Sequence, residues 1–308
     1  MKISKSYYTK VLLLLWLFLS VSCSAKESST EMVLVGSTPG DHLIKTLLNI
    51  PEATKVDFIK WNLVLNSLSN NQNTFQLDIH FGESQPNTLG FKNDGEKLHF
   101  EGTYTVAKNK DVQTGSEIYQ LESKSFSNKL SFIKISENLF HLLTPQNELI
   151  PGNGGWSYSL NRKVPIDPGK ILISSKRSES KTLQIVFDGR TPCQVIANEH
   201  PEMNVGKSCF KLKWKLTLLK DSVSHLPTSY VMRKVVYNKP RDVSGKWAII
   251  YGIPTNPEAI IYKIEPDKPD ESISFFVADE NVLFFLDKNN EPYTGNEDFS
   301  FTLNRRMK

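Results

Sequence analysis

The chain has 308 residues, enough for one large domain or two ordinary ones. Its apolar fraction of 39% is typical of a globular protein with a buried core. The 37 basic and 33 acidic residues nearly balance, and no arginine-rich run is present, which argues against nucleic-acid binding.

The N-terminal segment has the features of an export signal. Three lysines, Lys2, Lys5 and Lys10, precede an apolar run over residues 11–21. A run of this length is too short to span a bilayer, but it suits the apolar core of a signal peptide. The sequence therefore predicts that the chain is exported.

The apolar run ends in Leu19-Ser20-Val21-Ser22-Cys23, which resembles a lipobox, the motif that directs lipid attachment to its cysteine. We expect residues 1–22 to be a lipoprotein signal peptide, Cys23 to carry the lipid, and residues 23–29 to form a polar tether. Each acyl methylene buried in a membrane adds about 0.8 kcal/mol to binding. The alternative is a plain secretory signal that happens to contain a cysteine.

The rest of the sequence contains an internal repeat. The matching segments are 36–40 with 189–193 and 59–65 with 212–218 at an offset of 153, then 118–138 with 261–281 and 152–162 with 295–305 at an offset of 143. One ten-residue length difference between Leu65 and Gly102 accounts for the change of offset. We therefore expect a first copy over residues 30–162, an exposed linker over 163–180, and a second copy over 181–308.

Residues of the two copies alternate between polar and apolar in several runs, which is typical of half-buried antiparallel strands. The clearest runs are 74–81, 156–161, 211–218 and 299–303. Helical periodicity is present only over residues 41–48. Each copy should hold about eight short strands that form an up-and-down meander and close into a barrel.

Four aromatic residues at matched positions are predicted to fill the barrel interiors: Trp61 with Trp214, and Tyr158 with Phe301. An indole that stacks on a ligand is the alternative for the two tryptophans. Both copies also end in Asn-Arg, and we expect Arg162 and Arg305 to close the barrels through hydrogen bonds near the first strand.

Two cysteines remain once Cys23 is assigned to the lipid. Cys193 and Cys209 fall where the first copy has Gly40 and Val56, so both thiols are missing together from that copy. Paired absence predicts a disulfide, which would suit an oxidising compartment and, for this loop length, would stabilise the fold by about 3 kcal/mol.

A copper site is the alternative use of the same cysteines. Cys193, His200, Met203 and Cys209 offer thiolate, imidazole and thioether ligands, the set that Cu(I) prefers. The two interpretations exclude each other, because an oxidised pair cannot coordinate as thiolate. We expect no other cofactor.

The second copy resembles the N-terminal domain of the NlpE copper-resistance lipoproteins. The resemblance rests on residues 187–193 at the start of the copy, Gly245-Lys246-Trp247 in its middle, and residues 281–287 and 301–305 at its end. The first copy matches more loosely. The resemblance implies an all-β fold of two tandem lipocalin-like barrels, with a role in envelope stress signalling or copper tolerance. The family has Cys-x-x-Cys after the proline, and here only Cys193 is present.

The sequence holds no arrangement typical of catalysis. The six histidines lack metal-ligand spacing, and there is no nucleophile elbow, catalytic triad or phosphate loop. We therefore expect a non-catalytic lipoprotein, anchored by its lipid to the outer membrane of a Gram-negative cell, that binds an envelope protein or senses the state of the surface. The alternatives are a carrier of a small apolar ligand, which a barrel of this size can hold, and Cu(I) binding by the second copy.

Overall fold

The computed structural model describes residues 30–67, 73–108, 116–166, 170–176, 182–199, 206, 209–236, 239–265, 267–268 and 272–306. The predicted signal peptide and tether, with Cys23, lie outside these ranges, as do His200 and Met203. None of the helices within the described ranges is long and apolar enough to cross a membrane.

The first copy is a closed barrel of eight antiparallel strands, in which each strand pairs with the next and the last pairs with the first. The strands are β1 (Thr30–Pro39), β2 (Phe58–Ser67), β3 (Asn73–Gly82), β4 (Glu96–Lys108), β5 (Glu117–Glu122), β6 (Leu130–Ser136), β7 (Leu139–Leu143) and β8 (Ser159–Arg162). A short helix, α1 (His42–Leu47), follows β1 and begins where the Asp41 carboxylate accepts a hydrogen bond from the amide of Ile44 at 3.2 Å. A 3-10 helix, Lys92–Asp94, precedes β4.

The second copy is a second closed barrel with the same order of strands. They are β9 (Gln184–Thr191), β10 (Leu212–Lys220), β11 (Pro227–Val236), β12 (Lys239–Ile253), β13 (Asn256–Ile264), β14 (Ile273–Val277), β15 (Val282–Leu286) and β16 (Thr302–Arg305). A helix, α2 (Gln194–Glu199), stands where the first copy has α1. The predicted all-β fold of two tandem eight-stranded barrels is confirmed.

The two predicted core tryptophans have the same surroundings. The Trp61 indole is 2% exposed and donates to the hydroxyl of Thr38 at 2.8 Å, and the Trp214 indole is 3% exposed and donates to the hydroxyl of Thr191 at 2.8 Å. Since a buried N–H needs an acceptor, the indole and the threonine of the first strand are kept as a pair in each copy. The internal repeat is therefore a repeat of contacts as well as of sequence.

Both barrel interiors are filled by side chains. Tyr158 and its counterpart Phe301 are buried, and the hydroxyl of Tyr158 donates to the Asp41 carboxylate. The second copy lacks both partners of that bond, because Phe301 has no hydroxyl and the residue that corresponds to Asp41 is Gln194. The interior therefore keeps its aromatic filling while one polar contact differs.

The ten-residue length difference comes mainly from one connection, which is eleven residues shorter in the second copy, while the connection before it is one residue longer there. Residues 83–95 join β3 to β4 in the first barrel, whereas only residues 237–238 join β11 to β12 in the second. The longer connection folds back on itself, with the amide of Gln85 donating to the carbonyl of Gly90 at 3.0 Å and the amide of Lys92 donating to that of Glu83 at 2.9 Å. It is the largest departure from the repeat among the described residues.

The prediction of an exposed linker is wrong for its middle. Ile171 and Ile173 are 3% and 4% exposed, and they pack in an apolar cluster that draws on both barrels. The amide of Leu172 donates to the Ile135 carbonyl of the first barrel at 2.8 Å, and the carbonyl of Ile173 accepts from the Asn256 side chain of the second at 2.9 Å. The linker is thus part of the junction between the barrels.

Candidate functional site

The junction between the barrels has pseudo-two-fold symmetry. Asn161 and Asn304 are counterparts at the ends of the two copies, and each reaches into the other barrel. The amide of Gly152 donates to the side-chain oxygen of Asn304 at 2.7 Å, and the amide of Gly295 donates to that of Asn161 at 2.7 Å. A junction that uses the same patch on both halves is isologous, as in a symmetric dimer.

Glycine is required at the two positions that receive these asparagines. A Cβ atom on Gly152 would lie 2.2 Å from the Trp156 carbonyl oxygen, and one on Gly295 would lie 2.3 Å from that of Phe299. These distances are far below van der Waals contact, so the repeated glycines allow the loops to approach closely enough for the asparagines to bind them.

Removal of either asparagine side chain should weaken the junction, and Asn161 should matter somewhat more because its side-chain amide also donates to the Asn296 carbonyl at 3.1 Å. We expect Asn161→Ala and Asn304→Ala each to lower the free energy of unfolding by about 1–2 kcal/mol, because each leaves one half-buried amide without its acceptor. Denaturant unfolding measures the loss, and amide hydrogen exchange locates it. Exchange should increase at Gly295 in the first variant and at Gly152 in the second, and the opposite assignment would contradict the reciprocal bonds.

A row of buried hydroxyl groups lies on the pseudo-two-fold axis. The hydroxyl oxygens of Ser157 and Ser300 are 2.5 Å apart. The Ser300 hydroxyl donates to the Thr302 hydroxyl at 2.9 Å, and the Thr302 hydroxyl lies 2.9 Å from the Ser159 hydroxyl. Ser157 with Ser300 and Ser159 with Thr302 are counterparts at the 143-residue offset. The row ends at His141, whose Nδ1 is 3.0 Å from the Ser159 hydroxyl.

His141 is fully buried and neutral. Its Nε2 lies 2.9 Å from the carbonyl oxygen of Ile150, which can only accept, so Nε2 carries the hydrogen and Nδ1 accepts from the Ser159 hydroxyl. Burial lowers the pKa of His141 to about 4. Its counterpart in the second copy is Phe284, and the two rings meet edge to face at 5.7 Å.

A polar groove of about 590 Å³ runs along the outside of the first barrel at the same junction. Its lining includes three lysines (Lys60, Lys97 and Lys163), two histidines (His80 and His99), Asp78, and Glu297 of the second barrel. The imidazole of His99 contacts the Asp78 carboxylate at 2.7 Å, and both side chains are exposed. Mixed charge and open access suit recognition of a polar partner more than enclosure of an apolar molecule.

Cys193 and Cys209 form a disulfide, as predicted, with their Cα atoms 5.9 Å apart. The bridge joins the start of α2 to the segment before β10, and both cysteines are buried in the core of the second barrel. Within the described ranges, no group of three or more histidine, cysteine or carboxylate side chains is placed to hold a metal ion.

The disulfide should determine how the protein responds to thiol reagents. We expect Cys193 and Cys209 to be unreactive in the native protein and to give two thiols after reduction and denaturation. Mass spectrometry after alkylation checks both numbers. Cu(I) should bind at these sulfur atoms only after reduction, and binding by the oxidised protein that is lost in Cys193→Ser would contradict the structural role.

Arg305 donates to the hydroxyl of Thr182, two residues before β9, at 3.5 Å, so it bonds near the first strand of its copy as expected. Its guanidinium also lies 3.0 Å from Glu280, in the turn between β14 and β15. The role of Asn161 and Asn304 was not predicted, although the repeated Asn-Arg ends were the available signal. The asparagines make two of the hydrogen bonds that join the two copies.

Comparison with known proteins gives no relative for this chain. No family model matches it, and no curated protein and no solved structure is significantly similar to it.

Proposed function

We propose that this protein is a non-catalytic lipoprotein of the bacterial cell envelope that recognises a partner through the outer surfaces of a joined pair of barrels. The filled interiors carry this proposal. Because Trp61, Tyr158 and their counterparts occupy the space in which a lipocalin-like barrel would hold a ligand, recognition falls to the outside of the barrels. The same filling speaks against a carrier of a small apolar molecule.

The polar groove beside the junction is the surface best suited to a protein partner. It combines Lys60 and Lys97 with Asp78, and its residues come from both barrels. The bond between Lys60 and Asp298 of the second barrel, at 2.7 Å, holds the two sides of the groove in a fixed relation. A surface with both signs of charge gives specificity and orientation on binding. The NlpE resemblance supports a role in envelope stress, but the disulfide leaves no thiolate for the copper part of that role.

Two measurements on the full-length protein in a Gram-negative host test the proposal. Labelling with an alkyne palmitate should mark the wild type and not Cys23→Ser, and the labelled protein should fractionate with the envelope. A photo-crosslinker at Lys97 should then capture a discrete envelope protein, while one at the exposed Val223 of the second barrel serves as the control. An unlabelled protein would overturn the anchor, and equal products from both positions, or none, would overturn the partner surface.

A further inference from the structure

A second cleft, of about 200 Å³, opens on the axis between the barrels. Phe58 and Trp156 of the first barrel face Arg190 and Lys211 of the second across it. Residues 84–89 form another wall, and they belong to the long β3–β4 connection that only the first copy has. The cleft is therefore built where the two copies differ.

Arg190 is held in place by a column of aromatic rings. Its Cζ atom lies 5.0 Å from the centre of the Trp156 ring, which stacks on Phe58 at 4.7 Å, and Phe58 stacks on Phe91 at 4.2 Å. The ring attracts the cation through its π electrons, and the guanidinium N–H groups remain donors for an acceptor. Burial lowers the pKa of Arg190, and no carboxylate of the described chain forms an ion pair with it.

Lys211 adds a second positive charge to the same cleft. Arg190 pairs with Lys213 in the register of β9 and β10, and Lys211 lies two residues before Lys213, on the same face. Burial and the charges of Arg190 and Lys213 lower the pKa of Lys211. The acid that lines the cleft, Asp298, is already bound by Lys60 at 2.7 Å.

Comparison of the two copies shows that these charges are not inherited from the repeat. Arg190 stands where the first copy has Ser37, and Lys211 stands where it has Phe58. Lys60 of the first copy corresponds to Lys213 of the second, and Lys60 forms an ion pair with Asp298 of the second copy. The first copy has Gly155 at the position that matches Asp298, so it offers Lys213 no equivalent carboxylate. Two half-buried cations without a carboxylate are costly to keep unless an anion neutralises them.

We propose that this cleft binds a doubly charged oxyanion, either inorganic phosphate or the phosphate group of a monoester, between Arg190 and Lys211. The planar fork of an arginine matches two oxygen atoms of a phosphate, and the ammonium group of a lysine supplies a second charge. A single carboxylate would leave one cation uncompensated. The volume of the cleft suits a small anion or one head group. This site is separate from the proposed partner surface, and either can fail while the other stands.

Titration of the purified full-length protein with inorganic phosphate tests the site. We expect saturable binding of one equivalent by calorimetry, with a matching shift of the indole N–H resonance of Trp156. Acetate at the same ionic strength should bind more weakly. Vesicles of phosphatidylcholine with and without phosphatidic acid distinguish a free phosphate from one carried by a lipid. Binding of inorganic phosphate or of phosphatidic acid vesicles supports the proposal if the cleft variants weaken it.

The first copy supplies the variants. Arg190→Ser and Lys211→Phe install its residues, and each should weaken phosphate binding about tenfold or more, as expected for loss of a charged hydrogen-bond partner. Lys246→Gln removes an exposed lysine elsewhere on the second barrel and should leave binding unchanged. Arg190→Gln, which keeps a polar side chain, replaces Arg190→Ser if that variant does not fold. Absence of saturable binding, or equal binding by wild type and both cleft variants, would overturn the site.

Discussion

Replacement of either core tryptophan by alanine should lower the free energy of unfolding by about 3–5 kcal/mol, and the two losses should be equal. Trp61 and Trp214 each fill the core of one barrel and are almost fully buried. Truncation removes most of the apolar contact area of an indole and leaves a cavity that the closed strands cannot collapse to fill. Urea unfolding of Trp61→Ala and Trp214→Ala measures the two losses.

Milder variants separate the packing of the indole from its hydrogen bond. Trp61→Phe and Trp214→Phe retain an aromatic ring but lose the donor to Thr38 or Thr191. We expect each to cost less than the alanine variant, with part of the loss recovered when the threonine is also changed to valine, because a buried hydroxyl that has lost its donor is then removed. Losses for the two copies that differ by more than about 2 kcal/mol would show that the barrels do not share one packing scheme.

Acid should destabilise the protein through His141. Burial lowers the pKa of this imidazole to about 4 in the folded state, whereas an unfolded histidine titrates near 6.5. Between these pH values the unfolded chain binds a proton that the folded chain does not, so stability falls as the pH falls. The loss should begin near pH 6.5, reach roughly 3 kcal/mol at pH 4, and level off within about one pH unit below that.

His141→Phe is the matched control for the acid effect, because Phe284 occupies the same position in the second copy. It should cost stability at pH 8, where it leaves the Ile150 carbonyl without its donor and the Ser159 hydroxyl without its acceptor. It should also remove the extra pH dependence between 6.5 and 4. Parallel stability curves for wild type and His141→Phe over this range would show that His141 is not buried in neutral form at the junction.

The fold could be predicted because its signals are local and are present twice. The period-two alternation in residues such as those of β2 and β10 predicts strands that bury one face. The 153-residue offset then places Trp61 and Trp214 at one position of a common barrel. The helical periodicity over residues 41–48 predicts α1. The alternation and the helical periodicity are each complete within one copy.

The junction could not be predicted in the same way, because it depends on contacts between copies. The linker reads as exposed, since Pro165 and Pro168 and a run of serines surround Ile171 and Ile173. One signal was available. β14 and β15 are apolar at almost every position, as strands buried on both faces are, and half-buried barrel strands would alternate. The outer face of β15 indeed packs through Phe284 in the cluster that contains the linker.

The candidate anion cleft could not be found from motifs. Arg190 and Trp156 belong to different copies and meet only because the barrels pack about an axis. What the sequence does offer is a list of positions at which the copies disagree, such as Ser37 with Arg190. Such differences gain meaning only when the structure places them beside one another.

The isologous junction has a consequence for how the two halves can change. In a dimer of identical chains, any substitution near the axis appears twice, so a charge or a bulky group meets its own image. Joining both halves in one polypeptide removes that restriction and also fixes their local concentration, which no longer depends on how much protein is present. His141 can therefore face a phenylalanine rather than a second imidazole, and one side of the axis can acquire cations while the other acquires rings. Covalent fusion lets a symmetric scaffold hold an asymmetric surface.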